Sequence, residues 1–369
     1  MIQKERGREA LVITHKLETS ARPVVEKMVY SVASIGIVIV LIEGFLFLRD
    51  SECPQVIKTF VAIVWGVGGI AGIYWVLYRL LLLFPTRIRV KVEPYVFVAP
   101  ALLLLGWYLT LPVIRTAYLS FFGAASKDFV GLSNYTFVFT DRSMLVAWRN
   151  NLLWMVFGTS LSVIFGFVIA LTSDRVGWEK TAKTIIFMPM AISMVGAGII
   201  WRFMYAYDPN IGLLNALVQL FNGSPKNWLI LRPINTFFLI AVFIWGQTGF
   251  AMVVLSAAIK GVPKEIVEAA TIDGAGDLRR IKDIIIPSVK SSIVTVSTTI
   301  VIGSLKTFDV VFTMTQGLDG TEVLASQQYK QMFRYFNYGR GAAIAMIIFL
   351  AVIPVIIYNI RQFQKGGNI

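Results

Sequence analysis

The sequence has little charge and almost none of the residues that build metal or thiol sites. Only 15% of its 369 residues are charged, against roughly a quarter in soluble domains. The single cysteine and single histidine, Cys53 and His15, exclude an internal disulfide framework and do not supply a Cys/His metal site or a cysteine–histidine nucleophile. No Gly-x4-Gly-Lys-Ser/Thr phosphate loop is present, so we expect this chain to bind no cofactor and to hydrolyse no ATP itself.

Long apolar runs take the place of charge. Hydrophobic residues make up 56% of the chain, and the mean hydropathy is +0.71. A helix needs about 20 apolar residues to cross a bilayer core, because its backbone must be satisfied within the segment. The sequence therefore predicts an all-α integral membrane protein with eight transmembrane helices, the first interrupted by Glu43. The predicted spans lie near residues 28–48, 59–84, 93–122, 150–173, 184–206, 236–259, 289–314 and 341–360.

The distribution of basic residues predicts the orientation. With a cytoplasmic N terminus, the inner segments hold twice as many Lys and Arg residues as the outer loops, which is the expected bias. Both termini are then cytoplasmic, and so is the connection at 260–288. The formal net charge of +13 is explained by topology, and no nucleic-acid partner is expected because the basic residues form no patch with interleaved aromatics. No cleavage site follows the first charges, so we expect no removable signal peptide.

A charged segment, 260–288, separates the sixth and seventh predicted spans. Pro263 suits the start of a helix, because its missing N–H would be unpaired there. The predicted helix at 264–273 carries Glu265 and Glu268 near its positive N-terminal end. Its small apolar face consists of Ile266, Ala269 and Ala270.

A second helix is predicted to complete this segment. Gly274 allows the backbone to leave the first helix, Asp277 is expected to cap the second, and Pro287 to end it. An alanine face buries little area within one chain, and the glutamates lack partners, so the pattern favours a surface for another protein. The alternative is an ordered loop that packs against its own bundle.

The same segment resembles the signature loop of the integral membrane subunits of bacterial ABC importers. Its pattern falls on Glu268, Ala269, Ala270, Gly274, Ile284 and Pro287, with Ile286 where the family has leucine. In that family the loop is the coupling helix, which docks into a cleft on a cytoplasmic ATPase subunit. The resemblance implies ATPase coupling through Pro263, Glu265, Glu268, Ala269, Ala270, Asp273, Gly274, Ala275, Ile284 and Pro287.

The resemblance extends over most of the chain. The stretches "VGLSNYTFVF" and "FMPMAISMVGAGIIWRFMYAYDP" look like the sugar-type permeases related to the maltose permease. The resemblance implies an N-terminal arm at 1–27, two extra helices at 28–92, a six-helix permease core at 93–362 and a tail at 363–369. The arm is a solvated tail or a helix on the inner surface. The loop at 123–149 is too short for the separate periplasmic domain of the larger maltose-type subunit.

The resemblance also implies partners. These are a second, different permease subunit, two ATP-binding cassette subunits that would hold ATP and magnesium, and an extracytoplasmic solute-binding protein. The chain would be a multi-pass protein of the bacterial cytoplasmic membrane, surrounded by lipid. One family pattern, Gly-Gly-Pro after the seventh span, is replaced by Gly317-Leu318-Asp319-Gly320.

Polar residues within spans are the candidates for substrate contacts, because their burial in lipid is costly. By resemblance, Ser304 and Thr307 occupy sugar-contacting positions, and their spacing of three predicts one helix face. Lys306 and Asp309 can pair with each other or face substrate. The other candidates are Trp245, Gln247, Met190 and Ser193.

The predicted cargo is a sugar-like compound. No acidic cluster indicates a proton relay and no basic cavity indicates an anion, so a neutral sugar or polyol fits best. The stretch "PMAISMVGAGIIWRFMYAY" resembles permeases for α-glucosides and related compounds.

Two other classes of protein stay open at this stage. An ion-coupled secondary transporter or a channel would show paired half-chain repeats or broken helices at corresponding positions, and the sequence shows neither. A membrane-embedded enzyme needs a convergent set of reactive groups, whereas Glu43 and Asp309 lie far apart in the sequence.

Overall fold

The computed structural model describes residues 28–82, 84–173 and 177–366. The predicted N-terminal arm lies outside these ranges. Within them the chain is helical, with one isolated bridge between Phe122 and Phe129. It divides into two compact units, Met1–Leu111 and Pro112–Ile369, whereas the sequence placed the division between the extra helices and the core after residue 92.

The described part of the first unit contains three long helices. They are α1 (Met28–Asp50), α2 (Gln55–Leu81) and α3 (Thr86–Leu105), the last followed by a π-helical turn, Gly106–Thr110.

Hydrogen bonds from aromatic side chains join these helices to one another. Trp65 Nε1 of α2 donates to the carbonyl oxygen of Leu41 in α1 at 3.1 Å. Gly44 makes room for the indole, since a Cβ built there would lie 2.2 Å from Trp65 Cδ1. The Tyr74 hydroxyl donates to the carbonyl oxygen of Phe97 at 3.0 Å, which joins α2 to α3. Small residues thus allow close approach, and the aromatic polar groups find partners within the apolar layer.

The second unit contains the remaining helices. They are α4 (Leu111–Leu119, whose first residue precedes the division), α5 (Ser133–Thr140), α6 (Arg142–Leu153), α7 (Thr159–Ser173), α8 (Glu179–Phe187), α9 (Met194–Met204), α10 (Leu213–Leu220), α11 (Asn235–Lys260), α12 (Lys264–Ile272), α13 (Asp277–Arg280), α14 (Ile286–Ser288), α15 (Lys290–Leu305), α16 (Asp309–Thr315), α17 (Leu324–Tyr329) and α18 (Tyr338–Gly366).

The predicted count of eight spans agrees with the structure, but two of the spans are bent. Among the described residues six helices are long and apolar enough to cross a membrane, and eight spans result if each bent pair counts as one. The predicted fifth span, 184–206, is not one helix, because α8 with its 3-10 extension meets α9 at 102°. Pro189 lies in that 3-10 turn, and Ser193 Oγ caps α9 by accepting from Gly196 N at 3.1 Å.

The predicted seventh span, 289–314, is also interrupted. α15 meets the preceding α13–α14 stretch at 72°, and it ends at Leu305, before α16 begins at Asp309. Pro287 is predicted to end its helix, and the helix ends one residue later, at Ser288, so that the break falls at Val289.

The core of the second unit is built around α11. Trp154, in the π-helical turn after α6, is fully buried and meets Phe243 of α11 edge-to-face at 5.5 Å. α7 packs closely against the same helix at Gly166, where a built Cβ would lie 2.5 Å from Ala251 Cβ and 2.8 Å from Met252 N. Close backbone approach through glycine is the usual way for membrane helices to gain packing contacts.

Buried asparagines attach α6 to the loops at the interrupted seventh span. Asn150 Nδ2 donates to the carbonyl oxygens of Gly320 and Glu322, both at 2.7 Å. Asn151 Nδ2 donates to Leu305 O at 3.2 Å, and its Oδ1 accepts from Leu324 N at 2.7 Å. These bonds satisfy backbone groups that no helix satisfies at these positions.

We expect Gly166→Ala to destabilise the second unit. The added methyl group meets backbone atoms of α11, and overpacking of this kind costs about 1–3 kcal/mol. Loss of monodisperse protein on heating in detergent measures the effect. Gly106→Ala is the matched control, because nothing lies within 4 Å of its built Cβ. Equal thermal stability of the two variants would contradict the packing argument.

Candidate coupling and translocation sites

The segment from Lys264 to Ser288 contains the predicted pair of short helices. α12 begins one residue after Pro263, which occupies the N-cap position and not the first helical position that the sequence predicted. Glu265 lies in the first turn of α12, where the positive end of the helix dipole favours a carboxylate.

The corner after α12 follows a defined hydrogen-bonding pattern. Gly274 has φ +79°, in the left-handed region that glycine adopts without a Cβ penalty. Gly274 N donates to Thr271 O at 3.1 Å and Ala275 N donates to Ala270 O at 2.9 Å. These two bonds constitute the Schellman motif, which closes the carbonyl end of a helix. The signature spacing from Ala270 to Gly274 and Ala275 is therefore the spacing of a helix stop.

An arginine connects the two short helices across this corner. Arg280 forms an ion pair with Asp277, and its Nη1 donates to Thr271 Oγ1 at 2.6 Å. The predicted cap at Asp277 is wrong: Gly276 holds the N-cap position without a side-chain bond, and Asp277 is the first helical residue. The carboxylate pairs with Arg280 where we had expected it to accept backbone N–H bonds.

The outer surface of this corner is uncovered. α12 has no buried residue, and Ile272 and Leu278 are 87% and 84% exposed. Glu265 and Glu268 are exposed and take part in none of the ion pairs found in the described residues. The exposed isoleucine and leucine at this tip are a candidate interaction surface. The alternative, an ordered loop packed against its own bundle, would bury side chains of α12, and none of them is buried.

Glu179, Lys183 and Lys260 form a cluster of ion pairs, the ion-pair hub, where the segment leaves α11. Glu179 Oε1 of α8 accepts from Lys183 Nζ at 2.6 Å and from Lys260 Nζ, at the end of α11, at 2.5 Å. Lys183 Nζ also donates to Ser256 Oγ at 2.5 Å. The sequence analysis missed this hub. Its only local signal was the i, i+4 spacing of Glu179 and Lys183.

Ser304 and Thr307 do not share the one helix face that the sequence predicted. α15 ends at Leu305, so Thr307 lies beyond the helix. Ser304 is fully buried and its hydroxyl donates to Val301 O at 2.8 Å, while Thr307 is 8% exposed. Within this chain, both hydroxyls therefore face protein.

Lys306 and Asp309 do not form the ion pair that the sequence left open; no such pair occurs within the described ranges. Lys306 is the C-cap of α15, and Asp309 is the first residue of α16. A cation at a helix C terminus and a carboxylate at an N terminus are each stabilised by the nearby helix end. Both side chains are exposed.

The remaining substrate candidates lie apart from this break. Trp245 is half-buried and packs edge-to-face on Trp201 at 5.7 Å, and Gln247 is half-buried beside it in α11. Met190 and Ser193 are exposed at the bend between α8 and α9. No hydrogen bond or ring contact recorded for the described residues joins any two of the six candidates.

Comparison with known proteins identifies the family. Residues 162–365 match the family described as the binding-protein-dependent transport system inner membrane component. The chain belongs to this family. The chain is 54% identical over 272 residues to the osmoprotective compounds uptake permease protein GgtC of Synechocystis sp., and the match covers 73% of this chain and 98% of that protein. It is 43% identical over 334 residues to the alpha-glucoside transport system permease protein AglF of Rhizobium meliloti, covering 85% and 99%.

A solved structure shares the permease fold. The chain superimposes on a bacterial ABC transporter involved in the import of the acidic polysaccharide alginate, with a TM-score of 0.66 and 18% identity over 76% of this chain and 99% of that chain. The predicted family and fold class are thereby confirmed, and the protein is a transport permease and not an enzyme. Two bent helix pairs occur among the described residues, which the sequence did not predict, and the family match favours the importer permease over a secondary transporter or channel.

We expect Gly274→Ala to loosen the corner of the permease. An alanine at φ +79° costs about 1 kcal/mol or more, which corresponds to a roughly fivefold larger open population of the bonds that close α12. Hydrogen exchange of the Gly274 and Ala275 amides measures this change. Gly276→Ala is the control, because Gly276 has φ −66° and nothing within 4 Å of a built Cβ. Similar exchange rates in the two variants would contradict the assignment.

Proposed function

We propose that this chain is a transmembrane permease subunit of an ATP-driven importer that carries a neutral sugar, glucoside or polyol across the cytoplasmic membrane. Its ATPase subunits dock on the corner formed by α12 and α13. ATP and magnesium are held by those partner subunits. Both termini and the corner lie on the cytoplasmic side, in keeping with the excess of basic residues in these segments.

The proposed coupling role rests on the exposed corner between α12 and α13, which hydrogen bonds hold in one conformation. A segment that transmits movement from a partner must keep its shape under load, and here the Schellman bonds and the Arg280 contacts fix the two helices. It must also present a surface to the partner, which the exposed Ile272 and Leu278 do. Apolar side chains at the centre of such a contact, with charged groups around them, are typical of protein interfaces.

The ion-pair hub supports transmission into the bundle. A displacement of the corner reaches Lys260 at the end of α11, and two contacts between the helices, Glu179 with Lys260 and Lys183 with Ser256, carry it to α8. α8 and α11 belong to two different spans. The movement of one rigid corner is thus shared by two spans, as rigid-body switching between inward-facing and outward-facing states requires.

The substrate class rests on the relatives. One is named for osmoprotective compounds and the other for alpha-glucosides, and both cover most of this chain. Neutral polyhydroxy compounds satisfy both names and agree with the sequence, which predicts no basic cavity. The alginate transporter supports the fold alone at its low identity.

The remaining partners are a second, different permease and an extracytoplasmic solute-binding protein. Another solved structure similar to this chain is an alginate ABC transporter in complex with an alginate pentasaccharide-bound periplasmic protein, and the matched family is named for its dependence on binding proteins. Among the described residues the surfaces of the spans are extensively apolar, so lipid and a second permease are both suitable neighbours.

We expect Ile272→Asp and Leu278→Asp to uncouple the importer. A carboxylate at the tip cannot be buried against a partner without a large desolvation cost, so ATP-driven uptake should fall by at least tenfold. Uptake into vesicles and co-purification of the ATPases measure the effect. Phe221→Asp is the control, because Phe221 is as exposed as these residues, at 85%, but lies outside the corner. Wild-type uptake by both tip variants would remove the coupling role.

Substrate class is tested with the whole importer in vesicles. We expect ATP-dependent accumulation of at least one labelled neutral α-glucoside or glucosyl-polyol, with competition by related neutral sugars. Uronate oligosaccharides should neither accumulate nor compete, since the sequence predicts no basic cavity to offset their charge. Accumulation of the acidic oligosaccharides alone would contradict the proposed substrate class.

A further inference from the structure

A concave pocket of about 480 Å³ lies where α9 ends. One wall is the last turns of α9, including Arg202 and Phe203, followed by Tyr205 and Tyr207. The opposite wall comes from the loop before α11, including Asn227. Its volume lies in the range of roughly 300–1,000 Å³ that is usual for small-molecule sites.

The pocket lies at the end of α11 that is remote from the coupling corner. Leu229 lines the pocket and its carbonyl oxygen accepts from Asn235 Nδ2, at the first residue of α11, at 3.2 Å. The corner follows Lys260, the last of the 26 residues of this helix, which is a separation of about 38 Å at 1.5 Å per residue. In the proposed orientation the pocket therefore opens toward the extracytoplasmic side.

The two walls are fixed to each other by one buried asparagine. Asn215 is fully buried; its Nδ2 donates to the carbonyl oxygens of Ala206 at 2.8 Å, Tyr207 at 3.2 Å and Lys226 at 2.9 Å. Its Oδ1 accepts from Lys226 N at 2.9 Å. Tyr205 is also held, since its hydroxyl donates to Phe238 O at 3.1 Å. The pocket is thus preformed, and a ligand would not have to order it.

The lining combines aromatic rings with polar groups. Phe203 and Tyr207 are exposed rings, which provide apolar faces. The side-chain amide of Asn227 and the hydroxyl of Tyr207 can each donate and accept hydrogen bonds. Arg202 Nη1 contacts the carbonyl oxygen of Thr313 at 3.4 Å, and its guanidinium has further N–H groups that this contact does not use.

We infer that this pocket is a sugar subsite at the extracytoplasmic mouth of the permease, which takes one ring of a neutral glycoside. A sugar ring has an apolar face that packs on aromatic rings and a rim of hydroxyls that needs several donors and acceptors, and both are present here. The inference rests on the proposed function and adds to it a contact that none of the six residues predicted for substrate binding supplies.

The lining favours a neutral glycoside over an anionic lipid headgroup. Among the described residues that line the pocket, Arg202 alone is charged, and it already donates to a carbonyl oxygen. An anion site normally uses several charge-assisted donors or a bidentate clamp. The part of the wall that follows α9, from Tyr205 to Ile211 together with Asn227 and Leu229, lies outside the helices, where a polar solute can arrive from water.

The test uses the complete importer in nanodiscs with a photoactivatable glucoside, a diazirine derivative of a neutral α-glucoside. We expect labelling of peptides that contain Tyr207 and Asn227, and its loss with excess unlabelled α-glucoside. Tyr207→Ala and Asn227→Ala should each reduce labelling at least fivefold. Phe221→Ala, an exposed aromatic of the same region outside the lining, should label like the wild type.

Three results would overturn the subsite. One is ATP-driven uptake of the glucoside by the wild type without any labelling of these peptides. A second is labelling that depends on the lipid headgroup of the nanodisc and not on competing sugar. A third is equal weakening, by Tyr207→Ala, of docking by sugar-free and sugar-loaded solute-binding protein, which would assign the pocket to a protein contact.

The labelling also separates this inference from the proposed function, because it needs no ATP. Competed labelling of the pocket without any ATP-driven uptake would contradict the importer role and leave the subsite standing. ATP-driven uptake without labelling would support the importer role and overturn the subsite.

Discussion

Each break in a membrane helix frees backbone amides and carbonyls that lipid cannot satisfy, and this constraint shapes the second unit of the permease. At the end of α15 the freed carbonyl of Leu305 accepts from Asn151. At the start of α9 the amide of Gly196 is capped by Ser193. The bends are therefore fixed features with partners of their own, and an integral span can be interrupted without losing its hydrogen bonds.

The breaks also fall at the places where function is expected. One lies directly after the coupling corner, at Val289, and another separates Ser304 from Thr307. A continuous helix would transmit displacement along its axis, whereas a bent span converts it into movement of one half relative to the other. The ion pair of Glu179 with Lys260 links α8 to the end of α11, next to the corner formed by α12 and α13.

Buried asparagines recur as the means of joining loops to helices. Asn150 and Asn151 attach α6 to the segments around α16 and α17, and Asn215 joins the two walls of the pocket at the end of α9. An amide side chain offers two donors and an acceptor, so one residue can satisfy several backbone groups from distant parts of the chain. None of these residues was chosen from the sequence, since an isolated asparagine has no pattern that distinguishes a clamp from an exposed turn residue.

The sequence by itself determined the helical membrane class, the eight apolar runs and the family, because hydropathy and the Glu268–Pro287 spacing are properties of local sequence. It also located the helix stop at Gly274, since a left-handed residue after a short helix is a local requirement. Tertiary structure alone decided where spans bend, that Lys306 and Asp309 use helix ends and do not pair, that Arg280 of α13 donates to Thr271 of α12, and that Glu179 joins α8 to α11. These outcomes depend on which distant backbone and side-chain groups become neighbours, and apolar periodicity carries no information about that.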